Sequence, residues 1–113
     1  MRRLFVQSTG FYRILNHRPD GEEILRRIEW EILNNPEVGD LVQSTGGVRK
    51  MRIADHSRGK GKRGGMRVLY LDLPDRNHTH LIWIYSKDDA DDLSPSGKKM
   101  IRLLVEKIKG AFK

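Results

Sequence analysis

A chain of 113 residues, 33% charged and 37% hydrophobic, is long enough for one modest core and is expected to form a single domain over residues 1–113. Its formal charge of +7 points toward nucleic acid, an anionic membrane surface or an acidic protein as partner. The absence of cysteine excludes a disulfide framework and a thiolate zinc site, and the longest apolar run, Leu81 to Tyr85, is too short to span a bilayer. No signal-peptide h-region precedes Leu4, so a cytoplasmic protein with no membrane partner is expected.

Leu4-Phe5-Val6 reads as a short edge or joining strand. Ser8 or Thr9 can cap a first helix whose apolar side is Phe11, Ile14 and Leu15, and Arg18-Pro19-Asp20-Gly21 ends it. Asp20 with Glu23 three residues on predicts a capping box for a second helix, lined by Leu25, Ile28 and Ile32 and stopped at Asn34-Asn35-Pro36. A polar loop from Gly39 to Gly47 follows. Lys50-Met51-Arg52-Ile53 alternates charged and apolar side chains, the period of a strand with one buried face. Another strand starts at Met66 and runs to about Leu73, where Pro74 opens a turn into a third, His78 to Tyr85, apolar enough to be central. Ser94-Pro95 starts a last helix with Ile101, Leu104, Val105 and Ile108 on one side. The order β-α-α-β-β-β-α, with three consecutive antiparallel strands covered by helices, is an α+β fold.

The segment from Gly46 to Arg67 concentrates the charge. Arg49, Lys50, Arg52, Arg58, Lys60, Lys62, Arg63 and Arg67 stand there against one acid, Asp55. The stretch from Ser57 to Gly65 reads as a mobile cationic hairpin loop with nothing apolar to bury. Strands carrying cations, joined by a basic loop, make a surface for a polymer of phosphates.

Asn35-Pro36-Glu37-Val38-Gly39-Asp40 and Thr45-Gly46-Gly47-Val48-Arg49-Lys50-Met51-Arg52 together resemble the HigB-like branch of the RelE/ParE toxin superfamily. The run from Gly59 to Tyr70, the Ile84-Tyr85-Ser86-Lys87 strand end and Asp92-Leu93-Ser94 continue the resemblance in the same order. It implies a RelE-like fold and the toxin of a type II toxin–antitoxin pair, cleaving mRNA in the ribosomal A site without metal or other cofactor. The implied partners are mRNA, ribosomal RNA and a separate antitoxin, in this branch usually a helix-turn-helix DNA-binding protein through which operator DNA is reached. By position, Lys50, Arg52, Arg67 and Lys87 match the cations of the catalytic face, with Lys60, Lys62 and Arg63 holding RNA nearby; Arg49 and Arg58 of the same basic segment are expected to bind RNA as well. The sequence departs from the pattern at Gly110-Ala111-Phe112-Lys113, where several RelE-type toxins use a tyrosine or histidine, and at Asp88-Asp89, where some relatives carry a further cation.

RNA cleavage by the 2′-hydroxyl needs a proton removed, a pentavalent phosphorane stabilised and the leaving 5′-oxygen protonated. Arginine and lysine supply the second by charge, and a lysine crowded by cations can also serve as acid or base. Strand parity permits Lys50, Arg52, Arg67 and Lys87 to share a face. Taken without the resemblance, the residues fit a non-catalytic RNA- or acid-binding face better than a catalytic one; a non-catalytic RNA-binding or ribosomal protein is one rival, and a ParE-like gyrase poison is the alternative inside the superfamily. His56, at the mouth of the loop, is a candidate base, although a loop histidine needs no such role. His78 and His80 share a strand face but lack a third ligand, so a solvated strand start is the simpler reading. Asp88, Asp89, Asp91 and Asp92 lack calcium-loop spacing and read as charge complement to a helix N-terminus. Trp30 and Trp83 read as core rather than as base-stacking platforms.

Overall fold

In the computed structural model, which describes residues 3–89 and 93–111, the elements run β1 (Leu4–Gln7), α1 (Thr9–Asn16), α2 (Gly21–Asn34), β2 (Asp40–Leu41), β3 (Arg49–Ile53), β4 (Met66–Leu73), β5 (His78–Ser86) and α3 (Pro95–Gly110). The five strands form one sheet in the order β1-β5-β4-β3-β2. The run β2 to β5 is antiparallel throughout, while β1 lies parallel to β5 at the edge. The predicted α+β fold is the one adopted. Asp91 and Asp92 lie outside the described residues.

Alternation along the strands sends apolar side chains to both faces, and each face has its own cover. On one face Phe11 and Leu15 of α1 and Ile24, Ile28 and Ile32 of α2 meet Met51, Ile53, Met66, Val68, Tyr70 and Ile84. On the other, Val105 of α3, flanked by Ile101, Leu104 and Ile108, covers Val48, Leu69, Leu71 and Ile82. Each fully buried side chain of this kind contributes roughly 1.5–3 kcal/mol, so the sheet is held from both sides. No helix among the described residues is long and apolar enough to cross a membrane.

The helix ends show which local signals were used. Ser8 Oγ accepts the Phe11 amide at 3.1 Å, and Ser94 Oγ accepts the Gly97 amide at 3.1 Å with Pro95 in the first turn. The capping box expected from Asp20 and Glu23 does not form. Asp20 is held by Arg18 through two hydrogen bonds of 2.9 and 3.1 Å, and Glu23 leans toward Arg27 instead. An ion pair was available to Asp20, and it took precedence over the cap.

The loop between β3 and β4 is structured, contrary to the mobile hairpin read from its composition. A 3₁₀ turn spans His56–Arg58, and Asp55 and Lys60 exchange two backbone hydrogen bonds across it. Gly65 lies where a Cβ would sit 2.3 Å from the Ile53 carbonyl oxygen and 2.7 Å from that of Gly61. Only glycine lets these three backbone stretches meet. The glycine serves the loop's own packing rather than the approach of a ligand.

A candidate RNA-binding cleft

Because Met51 and Ile53 are buried under α1 and α2, the alternate residues Lys50 and Arg52 emerge on the opposite face of β3. There they line a cleft of about 640 Å³ between segment 38–43, β3, the basic loop and the start of α3. Lys62 from the loop and Lys98 from the first turn of α3 complete a ring of four cations. Asp40 of β2 also lines it, in register with Lys50. The cleft pairs a dense positive field with a single carboxylate among its described lining residues.

Arg67 stands opposite Arg52 on β4, and Leu69 opposite Lys50, so parity puts Arg67 on the cleft's face. Its side chain does something other than line the cleft. Arg67 is 3% exposed, and its guanidinium donates to the carbonyls of Arg63 at 2.8 Å, Lys62 at 3.1 Å and Met66 at 3.4 Å. Arg67, matched by position to the cations of a catalytic face, is a buried clamp beneath the basic loop. A planar fork with several fixed donors suits this task, since converging carbonyls need separate N–H groups. By holding the Lys62 carbonyl it fixes the backbone from which the Lys62 side chain leaves along the cleft's edge, its Nζ 3.1 Å from Glu31 of α2.

Lys87 extends the β4–β5 ladder by one step, its amide donating to Gly65 at 3.0 Å. It sits half-buried at the base of the loop and is not among the cleft's lining residues. Lys60 and Arg63 are exposed on the loop.

Two of the candidate RNA ligands are elsewhere. Arg49 shares the parity of Met51 and Tyr70, so it points to the other face, where it donates to the Gly39 carbonyl at 2.7 Å and to Glu37 at 3.3 Å. There it works with Tyr70, whose hydroxyl donates to Pro36 O at 2.8 Å and accepts from the Gly39 amide at 3.0 Å. Burial pushes the Tyr70 hydroxyl's pKa up, which keeps that donor in place. The Gly39 turn is thereby latched beside the cleft. Arg58 reaches away from the cleft to Ser86, at 2.7 Å, and to Asp88, closing a second clamp on the loop.

A third clamp is Asp55, 1% exposed, which accepts from Arg18 and from Ser57, both at 2.9 Å. Burial alone raises its pKa, but the hydrogen bonds from Ser57 and Arg18 outweigh burial and hold the carboxyl below the ordinary aspartate value. His56 is exposed and faces Glu23 rather than the cleft. His78 and His80 are half-buried rather than solvated, with ring centroids 6.1 Å apart, and burial lowers the His80 pKa, helped by His78. Among the described residues no three His, Cys, Asp or Glu side chains gather as a metal site.

Reading the sequence alone missed Asp40 and Lys98. A signal for the second was present: Lys98 closes the first turn of α3, where the helix dipole favours acids and disfavours cations, and Lys99 follows it. Cations placed against the dipole suggest another demand on them.

No family model matches the sequence. Among solved structures, a double arginine-to-alanine mutant of the E. coli toxin RelE in the free state superposes with a TM-score of 0.57, at 13% identity, over 80% of this chain and 90% of that one. The intact E. coli RelBE toxin–antitoxin complex gives 0.56, at 13% identity, over 75% of this chain and 96% of the matched one. The isolated E. coli RelE toxin gives 0.54, again at 13%, over 91% and 99%. The chain has the RelE fold. In this version of the RelE fold, β3, the clamped loop and the start of α3 bring Lys50, Arg52, Lys62 and Lys98 around one cleft.

Proposed function

We propose that this chain is the toxin of a toxin–antitoxin pair, of the HigB-like branch, and that it cleaves mRNA on the ribosome. The observation that carries the reading is the cationic cleft of Lys50, Arg52, Lys62 and Lys98 on a fold shared with the E. coli toxin RelE. Four cations at one cleft are suited to consecutive phosphates, and a transition state that adds negative charge to phosphorus is favoured by the same field.

In the proposed reaction the 2′-oxygen loses its proton and attacks the adjacent phosphorus. The bond from phosphorus to the 5′-oxygen breaks, giving a 2′,3′-cyclic phosphate and a 5′-hydroxyl that takes up a proton. Arg52 and Lys50 stabilise the phosphorane, and Lys87, which lies outside the cleft lining, contributes at most to the field at the loop base. Asp40, facing Lys50 across β2 and β3, is the carboxylate placed to take the first proton. Arg67 acts through the loop it clamps, and Lys60, Lys62 and Arg63 hold mRNA or ribosomal RNA around the cleft. The protein works in the cytoplasm and is neutralised by a cognate antitoxin, the E. coli complex being a precedent for such a partner.

Induction of the chain in cells, with 5′ ends of mRNA and breaks in DNA mapped in parallel, tests the proposal. New mRNA ends within translated codons are the expected result. DNA breaks without new mRNA ends point to gyrase poisoning, and growth arrest with neither leaves a non-catalytic RNA- or ribosome-binding protein.

A further inference from the structure

Trp30 was expected in the core and is 64% exposed on α2, more open than any other tryptophan, tyrosine or phenylalanine among the described residues. With Arg26, Arg27, Ile53, Ala54 and His56 it forms a shallow surface of about 480 Å³, in the size range of small-molecule sites. Two observations indicate what covers it. Lys62 lines both this surface and the cationic cleft, so the two are continuous. Its acids are already engaged: Glu31 lies 3.1 Å from Lys62, and Glu23 3.9 Å from Arg27 and 4.0 Å from His56. What remains is an open indole on a surface where Arg26, Arg27 and Lys62 outnumber Glu23 and Glu31 by one, next to a cleft suited to phosphates. Nucleic-acid channels stack unpaired bases on such aromatic faces while cations track the backbone.

We propose that Trp30 is a stacking platform for an unpaired nucleobase of RNA whose phosphates occupy the Lys50–Arg52–Lys62–Lys98 cleft. The proposal rests on reading that cleft as an RNA site. A strand leaving the cleft would cross Lys62 and lay one base on the indole, so the RNA footprint extends from the sheet face onto α2.

The test compares wild type, Trp30→Ala and Trp30→Phe on an unstructured RNA of roughly ten nucleotides and on the same sugar–phosphate chain without bases. Trp30→Ala should bind the RNA about ten-fold more weakly, Trp30→Phe should keep most of the affinity, and the abasic chain should bind all three alike. Unchanged RNA affinity in Trp30→Ala overturns the proposal. An equal loss on the abasic chain overturns it too, because the effect then runs through charge or fold. Loss of antitoxin binding in Trp30→Ala, with RNA affinity intact, assigns the surface to a protein and also overturns it. If wild type binds neither RNA nor the abasic chain at low salt, the reading of the cleft falls with it. On programmed ribosomes, a Trp30→Ala deficit that vanishes with abasic mRNA identifies the stacked base as one of the mRNA.

Discussion

The Nη1 of Arg67 lies 3.1 Å from the carbonyl oxygen of Lys62, so a buried cation positions an exposed one. Arg67→Ala removes a fork that satisfies three carbonyls at once. It should destabilise the protein by on the order of 3 kcal/mol, measured by urea unfolding. Amide exchange should quicken across residues 59–65 before the rest of the chain. Arg67→Lys can satisfy one carbonyl and should recover only part of the stability. Unchanged stability in the alanine variant rules out the clamp.

Arg52 is exposed and Lys50 half-buried, and both line the cleft without holding the core. Arg52→Ala should leave stability within about 0.5 kcal/mol of wild type. It should weaken binding to single-stranded RNA and reduce the slope of log affinity against log salt by about 1. The double variant with Lys50→Ala should lose about 2 from that slope. A slope that does not change in a salt series would show that these cations do not meet phosphates.

Asp40→Asn keeps shape and removes a base. Single-turnover cleavage on programmed ribosomes should fall by roughly 10²-fold or more, while RNA affinity stays the same or rises as negative charge leaves the cleft. Wild-type rates in Asp40→Asn would move the proton-transfer role to another group.

Asp55 ties stability to acid pH. Its folded-state pKa is depressed below the ordinary 3.8, so its contribution is complete above that value and disappears as pH falls through the lower folded-state pKa. Asp20, lowered by its hydrogen bonds from Arg18, adds to the same window. The stability cost of Asp55→Asn, from urea unfolding at several pH values, should therefore be constant near neutrality and shrink as pH falls below about 4. A cost independent of pH across that range would contradict the ion-pair account.

Periodic features of the sequence were legible because they depend on the chain alone. The alternation of Lys50, Met51, Arg52 and Ile53 named both the strand and its wet face, and Ser94-Pro95 named the start of α3. What escaped depended on partners distant in sequence. The two-residue strand β2 has no pattern of its own and exists only by pairing with Lys50 and Arg49. Arg67 reads as a surface cation until the carbonyls of Lys62 and Arg63 fold over it, and Arg49 reads as an RNA ligand until parity turns it toward Glu37. Trp30 was misplaced for a different reason: its size suggested core, whereas helical spacing from the buried Ile24, Ile28 and Ile32 puts position 30 on the open side of α2. In the loop, abundant glycine and charge suggested freedom, whereas Gly65 is there because three backbones crowd it.

The parallel edge strand has a consequence for how the molecule comes into being. Ser8 Oγ donates at 2.6 Å to the carbonyl of Ile82, 74 residues later, and Arg3 reaches Asp72 and Thr79 across a similar span. During synthesis β1 and α1 emerge first and have no β5 to dock on. Closing so long a loop is slow, and the nascent chain waits for its penultimate element before the first can be seated. The cleft, clamped by a loop whose Gly65 carbonyl pairs with Lys87 at the end of β5, is assembled in the same late step. The cationic cleft therefore does not exist on the nascent chain until translation of it is nearly over.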